Sequence, residues 1–73
     1  MNLSYSKKEK RSYYLGLSAA HKKFAFYGYK RSEILSAIDF HTKEKNICSL
    51  KKDKIGVSFH SGYISFLKRK IKN

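Results

Sequence analysis

The first apolar residues of the chain fall into a helical rhythm. Tyr13, Leu17, Ala20 and Phe24 recur at steps of four, three and four, which sets them on one stripe, while Lys8, Arg11, Leu15, Ser18 and Lys22 fall largely on the opposite side. Ser6, Lys7, Lys8 and Glu9 have the spacing of a capping box, so a helix is predicted to start there. Gly16 in its interior costs about 1 kcal/mol relative to Ala, so either it lets another backbone come close or it is tolerated there without a role. Gly28 is the predicted stop, because glycine takes the left-handed conformation after a last turn at no steric cost. A second helix follows with Ser32 as its cap. Ile34, Leu35, Ala37, Ile38, His41 and Thr42 cluster on one of its faces, with Asp39 and Lys43 a turn apart on the other. Phe40 lies off that stripe: it either wraps around to the core, the favoured reading, or marks a contact with another chain.

From Asn46 the period shortens to two. Ile55, Val57 and Phe59 alternate with Lys54, Gly56, Ser58 and His60, and Ser61-Gly62 is a two-residue turn signal before Tyr63, Ile64, Ser65 and Phe66. A hairpin closed there pairs Phe59 with Ile64 and Val57 with Phe66. If residues 51–54 form a loop, Leu50 meets Ile55 and Cys48 meets Val57, which adds a third strand to the same apolar face. The predicted fold is therefore α+β, two N-terminal helices packed on a three-stranded antiparallel meander, in a single domain spanning residues 1–73. The alternative is an all-α three-helix domain whose basic C-terminal helix, over residues 62–72, turns Tyr63, Leu67 and Ile71 inward. Gly62 separates the two by sign: Gly62→Val should destabilise a tight turn and stabilise a helix.

Charge then narrows the function. The chain has 73 residues with 17 Lys or Arg against 5 Asp or Glu, a net +12. A chain this short builds one small core, so a multidomain protein and enzymes with deep pockets are excluded. Its 41% hydrophobic and 15% aromatic content lies above that of a disordered polycation. Solubility alone asks for a net charge of about 2 to 8, which leaves an excess for a polyanionic partner. The bases form two blocks around a near-neutral stretch at residues 32–50. No apolar run approaches the roughly 18 residues that span a bilayer, so integral membrane placement is not expected. A single Cys48 permits no internal disulfide, and no basic-then-apolar signal segment is evident, so a cytoplasmic location is expected. The skew toward Lys, Ile, Asn, Tyr and Phe suits an AT-rich genome such as that of a low-GC bacterium or a phage.

Four constellations are candidate sites. Lys7, Lys8, Lys10 and Arg11 crowd a helix start, where cations oppose the macrodipole and a phosphate would relieve them. Lys22, Lys23, Lys30 and Arg31 bracket Phe24, Phe26, Tyr27 and Tyr29; there Tyr27 and Tyr29 are the expected stacking platforms for unpaired bases and the cations the phosphate contacts. Lys51, Lys52 and Lys54, with Lys68, Arg69 and Lys70, are expected to flank the open sheet face. That face, with Ser58, His60, Tyr63 and Ser65, would offer a general acid, base and phosphate clamp for metal-independent RNA cleavage.

Residues 28–34, Gly-Tyr-Lys-Arg-Ser-Glu-Ile, resemble the turn-and-helix entry of helix-turn-helix proteins and the last turn of ribbon-helix-helix repressors. The match covers under a fifth of the chain. It departs where the would-be recognition helix carries Glu33, Asp39 and Glu44, which repel phosphate, so no family follows from it. The function expected is a small nucleic-acid-binding protein, favouring RNA or single strands, and a homodimer or subunit of a complex. The alternative is an inhibitor or adaptor docking on an acidic protein or ribonucleoprotein surface, and the third reading is a ribonuclease toxin. Enzymatic activity is not expected, nor a cofactor; no two of Cys48, His21, His41 and His60 share a metal-ligand spacing, so no metal is expected.

Overall fold

The computed structural model describes residues 6–25 and 29–72. Among them there is no strand; the chain forms α1 (Lys7–Phe24), α2 (Arg31–Leu50) and α3 (Lys54–Lys72). The α+β meander is thus overturned, and the architecture is the three-helix alternative, except that the third helix begins at Lys54 and not at Gly62. What read as alternation over residues 55–59 is one side of a helix: Ile55, Phe59, Gly62 and Phe66 recur at helical steps, and the extended pairing they seemed to offer is replaced by packing on two neighbours.

Helix α3 is central. It runs parallel to α1, since Ser12 Oγ donates to the Ile55 carbonyl at 2.8 Å and the Tyr13 hydroxyl donates to Ser65 Oγ at 3.0 Å. It runs antiparallel to α2, whose Arg31 guanidinium donates to the Ile71 carbonyl at 3.2 Å. Among the described residues the close backbone approaches of α1 and α2 are to α3, and the two meet each other only through side chains gathered in the core.

Small residues decide the α1–α3 contact. Ser12, Gly16 and Ala20 follow one another every four residues on α1, Ser58 and Gly62 do so on α3, and all five are buried. A Cβ on Gly16 would run into the Phe59 carbonyl, and one on Gly62 into the Tyr13 carbonyl. The two backbones therefore meet directly, and dispersion along the close seam replaces large interdigitating side chains. Ser61-Gly62 is helix interior and not a turn. Both glycines have ordinary negative φ, so space and not conformation requires them.

Above this seam Ala20, Phe24, Ile34, Tyr63 and Leu67 form the core, joined by half-buried Tyr29, Ile38, Phe59, Phe66 and Ile71. Phe24 and Leu67 are 3% and 0% exposed. The expected α1 stripe is present, as is the inward set Tyr63, Leu67 and Ile71. On α2 Ile34, Ala37, Ile38 and His41 turn toward α3, but Leu35 and Thr42 are exposed. Phe40 is 57% exposed and does not wrap into the core.

The ends are locally encoded. Ser6 and Glu9 close the capping box, with Ser6 N–H donating to Glu9 at 3.0 Å and Glu9 N–H to Ser6 Oγ at 3.2 Å. Gly28, the expected stop, lies outside the described residues, and α1 ends at Phe24 with Ala25 as its cap. Ser32 is not the α2 cap; Lys30 is, and its N–H donates to Glu33 at 2.8 Å. Residues 51–54, expected as a loop between strands, instead join α2 to α3. Lys52 N–H donates to the Ser49 carbonyl, Asp53 N–H donates to the Cys48 carbonyl, and Lys52 takes φ 61°. This is a Schellman turn with Lys at the place glycine usually holds. Asp53 then caps α3, accepting from Gly56 N–H at 3.0 Å.

Candidate nucleic-acid interface

Because α1 and α3 are parallel, their N-termini lie at the same end of a molecule whose extents are 40 × 21 × 17 Å. That end collects Lys7, Lys8, Lys10 and Arg11 from α1, Lys51 and Lys52 from the turn and Lys54 from α3, seven bases against Glu9 and Asp53. Two segments far apart in sequence become one basic end. Their proximity is felt by Glu9, whose carboxyl is held below its usual range by its bonds to Ser6 and further by the charge of Lys54. The positive ends of the α1 and α3 dipoles both point here, so Lys7, Lys8, Lys10, Arg11 and Lys54 are placed against the local field, whereas Lys51 and Lys52 follow the C-terminus of α2 and agree with its dipole.

Two shallow clefts open here between α1 and α3. One, about 370 Å³, is lined by Glu9, Lys10, Tyr13, Tyr14, Val57, Ser58 and Ser61. The other, about 390 Å³, is lined by Glu9, Ser49, Lys52, Asp53, Lys54, Val57 and Ser58. Tyr14 is 66% exposed and meets the Tyr13 ring edge-on at 5.6 Å. Its ring on a cleft at the basic end is the accessible aromatic that sequence reasoning missed. The signal was available, since Tyr14 lies between the inward stripe and the basic face of α1.

The opposite end gathers Lys22, Lys23, Lys30, Arg31, Lys68, Arg69, Lys70 and Lys72 against Glu33. Here cations at the last turns of α1 and α3 agree with the dipoles. Between the ends, Lys43 and Lys45 balance Asp39 and Glu44, so the whole +12 resides at the two poles. The outer side of α1 links the poles: Lys8, Arg11 and Lys22, expected on one face, are all exposed.

Of the stacking platform expected at the α1–α2 junction, Tyr29 is the part that falls within the described residues. Tyr29 is half-buried with its ring 4.5 Å from that of Phe24, so it belongs to the core, and Tyr27 lies outside the described residues. The four residues assigned to a sheet face are likewise dispersed. Ser58 and Tyr63 are 6% and 7% exposed, Ser65 accepts from Tyr13, and His60 turns to α2. These four residues therefore do not share a solvent face. Lys51, Lys52 and Lys54 flank no sheet; they sit at the first basic end, and Lys68, Arg69 and Lys70 at the second.

His41 and His60 do meet. Their Nδ1 atoms are 2.9 Å apart, so one carries the proton and the other accepts it. His41 also stacks on Tyr63, centroids 3.8 Å apart at 24°. Burial, then His60 and Lys23, hold the His41 imidazole below its ordinary value, and Glu44 opposes them. Burial chiefly, with the nearby Tyr29, pushes the Tyr63 hydroxyl up. Burial, with Asp53 and Glu44 nearby, pushes the Cys48 thiol up, which leaves it a poor nucleophile at neutral pH. Among the described residues no group of three or more His, Cys, Asp or Glu side chains is arranged to hold a metal ion, and no helix is long and apolar enough to cross a membrane. Compared with protein-family models, curated proteins and solved structures, the chain matches none of them.

Proposed function

We propose that this chain binds nucleic acid, with RNA or another single strand favoured, through phosphate contacts at its basic ends and a base held against Tyr14. The observation that carries the reading is the meeting of two basic segments, residues 7–11 and 51–54, beside two clefts, one of them edged by the exposed Tyr14. Lys7, Lys8, Lys10, Arg11 and Lys54 are set against the dipoles of α1 and α3 and repel one another, and a phosphate would relieve both. An exposed ring beside them suits an unpaired base, because every base has a stacking face and a duplex hides it.

The test separates the two contributions. Changing Lys7, Lys8, Arg11 and Lys22 to Gln should weaken binding alike for all sequences and flatten the log-affinity versus log-salt slope by about 0.7 to 0.9 per lost contact. Tyr14→Ala should weaken single-stranded RNA by roughly 1–3 kcal/mol and leave duplex binding nearly unchanged. Unchanged salt slopes in the quadruple variant would remove this surface from the reading.

A further inference from the structure

We propose that the outer face of α2 is a self-association surface, on which a second copy of this chain lays its own α2 in antiparallel orientation. Helix α2 uses one side for α3, through Ile34, Ala37, Ile38 and His41. Its other side is not bare polar surface. Phe40, Ile47 and Leu50 are 57%, 44% and 85% exposed. With Ser36 and Lys43 they make the series 36, 40, 43, 47, 50, alternating steps of four and three, which is the seam of a helix that pairs with another helix.

Charge selects the occupant. An acidic partner would be drawn to the poles, where the net +12 resides, and not to this face, where Asp39 and Lys43 pair at 3.1 Å and Glu44 offsets Lys45. Two copies of a chain so basic repel each other everywhere except across this neutral waist. A self-complementary patch needs each residue to meet its counterpart under two-fold symmetry. Reversing the helix about position 45 lays Phe40 on the partner's Leu50 and Ile47 along the aliphatic stem of the partner's Lys43. It also brings Asp39 toward the partner's Lys51. A parallel pair would instead set Lys43 on the partner's Lys43. The antiparallel pair still brings basic ends side by side, so salt should strengthen it by screening them, the reverse of its effect on nucleic-acid binding.

This surface shares only Lys51 with the proposed nucleic-acid site and none of the residues changed to test that site, so the two proposals fail separately. Sedimentation equilibrium of the full chain should show a monomer–dimer equilibrium that shifts to dimer between about 0.1 M and 0.5 M NaCl. Phe40→Gln with Leu50→Gln should weaken dimerisation by at least about tenfold while helical content is retained, because both side chains are exposed in the monomer. A chain that stays monomeric at about 200 µM in high salt overturns the proposal, and so does a double variant that dimerises as well as the parent. Orientation is read by oxidising an equimolar mixture of two Cys48→Ser chains, one carrying Phe40→Cys and the other Leu50→Cys. The antiparallel seam yields mainly the mixed disulfide; mainly like-with-like products would refute it.

Discussion

At the scale of single residues, the two buried glycines of the α1–α3 seam reverse the usual meaning of helix propensity. In an isolated helix Gly→Ala stabilises by about 1 kcal/mol. Here the added methyl must displace a backbone carbonyl of the neighbouring helix, Phe59 for Gly16 and Tyr13 for Gly62. Gly62→Ala and Gly16→Ala should therefore each destabilise by about 1–3 kcal/mol, the range of overpacked cores. Chemical denaturation gives the sign directly, and a stabilised Gly62→Ala would mean that the seam is open. Gly62→Val was expected to separate turn from helix by opposite signs, but crowding against Tyr13 makes it destabilising in this helix as well. The His41–His60 pair carries a second residue-scale prediction. The folded His41 titrates below its ordinary 6.5, so the unfolded chain takes up the proton first. The stability contributed is complete above that value and is lost as pH falls through the folded, lowered one. His41→Gln should flatten the pH dependence of unfolding as pH falls below the ordinary histidine range, and an unchanged profile would assign the titration to another group.

At the scale of elements, the α2–α3 turn is the most improvable part of the chain. Lys52 holds φ 61° without a glycine's freedom, and a left-handed residue bearing a Cβ costs about 1 kcal/mol. Lys52→Gly should raise stability by about 0.5–1 kcal/mol, whereas Asp53→Ala should lower it by about 0.5–2 kcal/mol through the lost α3 cap. Thermal melts of the two variants should move in opposite directions. This turn also shows what was legible in the sequence. The first helix, its capping box and its inward stripe could be read because Ser6, Glu9 and the 13, 17, 20, 24 series act locally. The inward residues of the third helix were visible only as an alternative, because Ile55, Val57 and Phe59 fit a step of two as well as Ile55, Phe59 and Phe66 fit a helix. Asp53 ahead of that series was the overlooked signal, since an Asp cap starts helices and a hairpin needs none. Ser61-Gly62 misled because glycine marks turns and close backbone contacts alike, and only the position of α1 distinguishes them. In the candidate site, the bases were legible as two blocks but their union was not, because the parallel direction of α1 and α3 joins residues 7–11 to residues 51–54. Tyr29 was lost to the core for the converse reason: it lies beside Phe24 once α2 turns back.

At the scale of the whole molecule, function and stability draw on the same charges with opposite signs. Both ends crowd like charges, and at the first end Lys7 and Lys8 also oppose the dipole of α1, at about 0.3–1 kcal/mol each in low salt. The parent melting temperature should therefore rise as NaCl is added, because screening weakens repulsion that has no counterpart in the unfolded chain. Inorganic polyphosphate, binding the folded chain, should raise it further at equal ionic strength. Lys7→Gln with Lys8→Gln should mimic the salt. For a domain of this size a gain of about 1 kcal/mol moves the melt by about 4–8 °C, and the gain should vanish near 1 M salt, where the screening length is about 3 Å. The same double variant should bind single-stranded RNA more weakly and with a shallower salt slope. A cation kept where it lowers stability and raises affinity is one placed for a ligand. If the double variant melts no higher than the parent at low salt, the two lysines are solvated without strain, and the electrostatic half of the nucleic-acid reading at this end falls with that result.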